Sequence, residues 1–248
     1  MTTQEFSNTF DTLLNSYKDI KNFGNTNSPY SLELDEYEKS ILLTQAQDII
    51  VKSYFDRTLN PQGQGFDDSE RRQMDFSELI TINKPVISTD TTVYDDRGVL
   101  YKLPTNILFM LNEKVVSGTV TKKSFIVIPI SYKEYDRLMS KPYAQPLKKQ
   151  CWRLFQNVSG VDTLSELIAH VGVPITEYRI RYIRRPKPII LAPLAGGEYN
   201  DGLAIDGVSI VTECELNPII HMDILNKAIE LALIRIGAAA QPKQSNRE

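Results

Sequence analysis

Apolar residues recur at three- and four-residue steps at both ends of this chain and gather into short β-type runs through its middle, and that double change of pattern points to helices first and last with strands between. Phe6, Phe10, Leu13, Leu14, Tyr17 and Ile20 mark an amphipathic helix that stops before the loop Gly24 to Pro29. Asp35 and Glu38 have the spacing of a capping box, and Tyr37, Ile41, Leu42, Ala46, Ile49, Ile50 and Tyr54 give a second helix its apolar face to about Phe55. Asn60 to Gly65 is a loop by its turn chemistry, after which Asp67, Asp68 and Ser69 offer caps for a short third helix through Ile80. At the other end Asn217 and Pro218 supply an N-cap and a first-turn proline. The helix they open carries Ile220, Ile224, Ala228, Leu231 and Ile234 along one side up to Gly237.

Between these lie short β-type runs punctuated by Gly, Pro and Asp: Val86 to Ser88, Val99 to Leu103, Ile107 to Leu111, Lys114 to Val120 and Phe125 to Ile130. Ser131 with Glu134 caps a helical segment Tyr132 to Met139, which Pro142 and Pro146 prevent from extending. Trp152 to Phe155 resumes a strand, Glu177 to Arg184 alternates Tyr178, Ile180 and Tyr182 with Arg179 and Arg181, and a further strand is expected near Val208 to Thr212. Thr163 to His170 reads either way: Thr163 and Glu166 match a capping box, yet Leu164, Leu167, Ile168 and Val171 would also pack from a strand. The expected class is α+β, a helical bundle formed by the N-terminal helices and the C-terminal helix (residues 1–83 with 215–237) with an inserted β-rich domain (84–214). Each terminal helix has one apolar stripe, and the three are expected to cover one another. The polar tail 238–248 is expected to be flexible.

With 248 residues, 42% of them apolar and 24% charged, the chain can bury a core without disulfides or metals. Its net charge of −3 supplies no global field toward DNA or anionic lipid. The apolar runs Ile189 to Leu194 and Ile229 to Ile236 are far short of a membrane span. The first residues lack the basic start and apolar core of a secretory signal, so the protein is expected to stay where it is made, with Cys151 and Cys214 as reduced, buried thiols.

A phosphate-binding glycine loop, a nucleophile elbow and a His-Glu-x-x-His helix are all missing from the sequence, and no cofactor is expected. His170 and His221 each sit beside apolar residues without a second ligand at metal spacing, and both read as structural. Asp67–Asp68 and Asp95–Asp96 lie next to Ser or Gly and read as caps of helices and turns. The densest charge cluster is Arg179, Arg181, Arg184, Arg185 and Lys187. Alternation turns Arg179 and Arg181 to one side, where they could grip phosphate or carboxylate, and turns Tyr178, Ile180 and Tyr182 to the other. Two readings stay open for it, a solvated edge strand and a partner-binding strand; an acidic protein surface suits it better than bases, because the tyrosines face away.

Several runs resemble one family. These are LDEYEKSILLTQAQ at 34–47, GFDDS at 65–69, RQMDFS at 72–77, YKLP at 101–104, ISYKEYDRL at 130–138, KPY at 141–143, WRL at 152–154, YRIRYIRRPKPIIL at 178–191 and ECELNP at 213–218. They stand in the order found in virion structural proteins of crAss-like bacteriophages, of the ring or adaptor type that connects head to tail. The resemblance implies a non-enzymatic subunit of a homo-oligomeric ring with twelve-fold symmetry, located in the neck or tail of a short-tailed virion and assembled in the host cytoplasm. Its implied partners are the portal protein and neighbouring tail or ring proteins, with DNA passing through the lumen and no membrane contact. The stretch Asp162 to Gly172 departs from the family's pattern. A ring of this kind needs two different complementary surfaces on each monomer, and the wall facing DNA should be acidic rather than basic so that the genome is not held. The residues expected to bind partners are Arg179, Arg181, Arg184, Arg185 and Lys187 on the strand and Lys243 and Arg247 on the tail, the tail being expected to reach the portal. A nucleic-acid module using Arg179 to Lys187 is the alternative, and an enzyme with an unfamiliar site ranks third.

Overall fold

The computed structural model describes residues 1–20, 34–55, 70–89, 93–118, 122–141, 143, 145–158, 162–195 and 202–239. The chain forms two compact units, one from residues 1–79 and 186–248 and the other from residues 80–185.

In the first unit, α1 (Thr3–Ile20) buries Phe6, Phe10 and Leu14, as its spacing requires. Capping at α2 (Glu36–Phe55) also follows the sequence, with Asp35 N–H donating to Glu38 Oε2 at 3.4 Å. The burial of α2 does not follow it. Ser40, Thr44 and Gln47 are buried together with Leu42, Leu43, Ala46, Ile50 and Val51, while Ile49 of the expected face is exposed. Those three polar residues, four and three positions apart, line one side of the helix. They meet the backbone of the extended segment 187–191 at every second residue. Gln47 Nε2 donates to the Lys187 carbonyl at 2.8 Å, Thr44 bonds both the N–H and the carbonyl of Ile189, and Leu191 N–H donates to Ser40 Oγ at 3.0 Å. On its other side the segment makes an isolated antiparallel bridge from Ile190 to Thr212. The expected strand 208–212 is reduced to isolated bridges, Ile190 with Thr212 and Ile205 with Val208.

The third helix, α3 (Glu70–Asp75), is only six residues long and is followed by a 3-10 turn at Ser77–Leu79, so it stops short of Ile80. Its expected caps at 67–69, like the loops at 24–29 and 60–65, lie outside the described residues. The last helix, α5 (His221–Ala239), follows a 3-10 turn at Pro218–Ile220 that Asn217 caps, its Oδ1 accepting from Ile219 N–H at 3.1 Å. Its buried face is Ile224, Leu225, Ala228, Ile229 and Ala232, rotated from the expected stripe; Leu231 is half-buried and Ile234 exposed.

The second unit is built on one sheet. Its strands are β1 (Ile80–Asn83), β2 (Val86–Ile87), β3 (Val99–Lys102), β4 (Ile107–Ser117), β5 (Lys123–Pro129), β6 (Gln150–Val158), β7 (Asp162–Ala169) and β8 (Glu177–Arg184). They pair in the order β1-β8-β4-β5-β6-β7-β3-β2, all antiparallel except β5 with β6. The helix α4 (Tyr132–Met139) makes the crossover that a parallel pair needs, with Glu134 N–H donating to Ser131 Oγ at 3.3 Å. The two end strands, β1 and β2, are separated in sequence only by Lys84 and Pro85. Two residues cannot span a flat eight-stranded sheet, whose width is roughly 34 Å at 4.8 Å per strand interval, so the sheet curls until its ends meet. Tyr101 of β3 and Tyr178 of β8 confirm the closure, their rings touching edge to face with centroids 5.3 Å apart. The inner face packs Tyr101, Leu103, Val115, Phe125, Cys151, Leu167, Tyr178, Ile180 and Tyr182 into one core. On the outer face Tyr135 of α4 packs on Trp152, Leu154 and Ile168.

The expected helical bundle with an inserted β domain is thus overturned. The dominant element is a curled, mixed eight-stranded sheet, and of the helices among the described residues α3 and α4 are short. The helices α1, α2 and α5 do pack on one another, but α2 also gives its polar side to extended chain, and the β runs join into one sheet that outweighs the helices. Thr163 to His170, open between helix and strand, is strand β7, and the runs at 107–111 and 114–120 are one bulged strand as far as Ser117.

Candidate functional site

Strand β8 lies between β1 and β4, so it is not an edge strand. Its alternation works as the sequence requires: Tyr178, Ile180 and Tyr182 are buried in the inner core, and Arg179 and Arg181 face outward. Register sets Arg181 between Ile82 of β1 and Asn112 of β4, and Arg179 opposite Lys114, which in turn pairs with Ile126 of β5. Ile82 and Ile126 are 71% and 69% exposed. The outer surface of β1, β8, β4 and β5 is therefore cationic with two bare isoleucines.

The cations on it are not equivalent. Arg179 holds Glu177 in a fork, Nε to Oε1 and Nη2 to Oε2 both at 2.8 Å, and Lys84 Nζ reaches the same carboxylate at 2.8 Å. The Arg179 hydrogen bonds, then the Lys84 one, hold the Glu177 carboxyl down at about 2. Arg181 is exposed and has no ion-pair partner among the described residues. Arg184 and Arg185 are engaged within the chain. Lys187 belongs to the other unit, where its Nζ lies 3.1 Å from Glu215 Oε1. Lys243 and Arg247 lie outside the described residues.

Charged groups that the sequence marks only as possible caps, or not at all, organise the sheet. Glu166 is fully buried on the outer face between Leu164 and Ile168. It accepts from the N–H groups of Tyr94 and Asp95 and from Gln156 Nε2. The loop it holds continues into Asp95, whose carboxylate takes the Arg97 N–H and guanidinium and the Tyr135 hydroxyl. The hydrogen bonds from Arg97 outweigh burial and hold the Asp95 carboxyl at about 2. The signal for Glu166 was an acid on the apolar face of a period-two run, visible once 162–169 is read as strand. Inside the curl, Arg153 pairs with Glu113, which also accepts from the Tyr178 hydroxyl at 2.9 Å, and the Arg153 guanidinium stacks 3.8 Å from the Phe155 ring centroid. Burial pushes the Glu113 carboxyl up, against the pull of Arg153.

Convergent chemistry is sparse elsewhere. A hollow of about 270 Å³ beside His170 is otherwise lined by Arg97, apolar side chains and backbone. His221 is a packed side chain: Nε2 bonds the Leu216 carbonyl at 2.8 Å, the ring lies 5.1 Å from Phe6, and burial lowers its pKa. Both thiols are free, Cys151 buried and Cys214 half-buried rather than fully buried, and burial raises them to about 12 and about 11. Among the described residues no group of three His, Cys, Asp or Glu could hold a metal ion, and no helix is long and apolar enough to cross a membrane.

Comparison with known proteins places these features in a family. The model of the family described as phage tail ring protein 3/4 matches residues 1–244. "Ring protein 4/5" of Bacteroides phage crAss001 is 47% identical over 235 residues, covering 94% of this chain and 92% of that protein. "Ring protein 3" of the same phage is 35% identical over 245 residues, covering 94% of this chain and 96% of that protein. With both ring proteins matched nearly end to end and the family model spanning both units, the chain belongs to the crAss-like phage tail ring protein 3/4 family of virion structural proteins.

Proposed function

We propose that this protein is the subunit of a closed homo-oligomeric ring in the neck or tail of a short-tailed phage, connecting the portal to the tail and letting the genome pass. The observation that carries it is the near full-length match to two named ring proteins of one phage. The higher identity to ring protein 4/5 than to ring protein 3, 47% against 35%, supports a place of the 4/5 kind. The twelve-fold symmetry implied by the resemblance follows from the same reading. The tail 238–248 and its Lys243 and Arg247 remain the segment we assign to the portal, since a polar terminus can order on a partner.

The nucleic-acid alternative has less support. Tyr178 and Tyr182 are buried and cannot stack on bases, Arg179 is held by Glu177, and Lys187 by Glu215. A phage carrying an amber codon in this gene tests the proposal. Particles made without the protein should retain filled or leaking heads that carry portal and lack tail; complete, infectious particles would refute it. Deleting residues 238–248 should leave the fold intact and weaken attachment to portal-bearing capsids.

A further inference from the structure

The modest net charge conceals a partition. Residues 1–79 with 186–248 hold 22 acidic and 12 basic side chains, a net of −10, whereas residues 80–185 hold 9 acidic and 16 basic, a net of +7. Each monomer is thus a pair of oppositely charged units. A closed ring needs two different surfaces that fit each other, and opposite charge on separate units provides such a pair.

We propose that adjacent copies in the ring bind by seating the cationic outer face of one copy's sheet on the acidic outer side of the next copy's α5; this rests on the ring reading above. On the sheet, Arg181 and Lys114 are exposed beside the bare Ile82 and Ile126. On the last helix, Asp223, Glu230 and Ile234, with Ile219 of the preceding turn, follow one another at steps of four, seven and four, so they share one side, and all four are exposed. Glu230 has a local partner in Lys227 at 2.8 Å, whereas Asp223, like Arg181, has no partner among the described residues. Each face carries an excess of one charge, Glu177 and Lys227 being paired locally, together with two uncovered isoleucines, the composition of a contact whose apolar centre gives affinity and whose charges set partner and orientation. A second copy fits this sheet face better than DNA does, because Ile82 and Ile126 gain cover only from another apolar surface.

The experiment uses the full-length protein and phage particles. Arg181→Glu with Lys114→Glu should raise the concentration at which rings form by roughly tenfold, Asp223→Lys with Glu230→Lys should do the same, and the four changes together should restore assembly. Arg181→Cys paired with Asp223→Cys should give a ladder of cross-linked oligomers from particles. If particles contain many copies of the chain yet the ladder is missing and the reversals change nothing, the docking is wrong and the ring reading stands. Impaired assembly that the four changes together leave unrestored also overturns this docking. If particles lack the chain, the ring reading itself fails and takes the docking with it.

Discussion

Thr44 on α2 uses one hydroxyl to hold both polar groups of Ile189, accepting from its N–H at 3.1 Å and lying 3.3 Å from its carbonyl oxygen, in a site where both residues are buried. Threonine occupies the place of a strand partner. Thr44→Val keeps the shape and removes the hydroxyl, stranding two backbone groups, and should cost about 1–3 kcal/mol of unfolding free energy. Thr44→Ser should cost less. Urea denaturation of the two variants checks the difference; equal midpoints would show that Thr44 serves only to fill space.

The Glu166 carboxylate and Gly98 form a second dependence. A side chain at 98 would run into that carboxylate, so Gly98→Ala should destabilise the sheet unit and the loss should shrink in a Glu166→Ala background. Glu166→Gln should cost about 2 kcal/mol and speed amide exchange at Tyr94 and Asp95, whose N–H groups it accepts. Additive losses would place the two residues in unrelated roles.

Glu113→Gln leaves Arg153, whose side chain is 6% exposed, as an uncompensated charge inside the curled sheet. That substitution should cost about 3–5 kcal/mol. Glu113→Gln combined with Arg153→Met should recover much of it, read from thermal midpoints.

His221 sets an acid limit. Burial lowers its pKa in the folded protein, so near neutral pH it is uncharged in both states and its stabilisation is intact. As pH falls below about 6.5 the unfolded chain takes a proton that the folded one resists, and stability declines until the folded pKa is passed. Urea midpoints of the native protein should therefore fall between pH 7.5 and 5.5, and His221→Gln should flatten that slope. An unchanged slope would show that other groups govern it.

Local rules were legible and closure was not. The caps at Asp35, Ser131 and Asn217, the two faces of β8 and the core of α1 follow from residue spacing, because each depends on neighbours within one or two turns. The rotated face of α5 and the polar side of α2 depend on what packs against them, and nothing in a stripe of Ser40, Thr44 and Gln47 says that extended chain 140 residues away will use it. The curling of the sheet rests on β1 and β2 pairing at its opposite ends, a long-range choice that period-two patterns leave open. At the candidate site the outward arginines were readable, while their inequality came from Glu177 and Lys84, one on the same strand and one beyond the end of β1.

A reconstruction of the phage neck, at a resolution that traces this chain, is the decisive measurement for the proposed ring. A closed ring of its copies is expected between portal and tail, with DNA in the lumen and each sheet's outer face against the neighbouring copy's α5. A neck from which the chain is missing, or in which it forms no closed ring, would overturn the proposal.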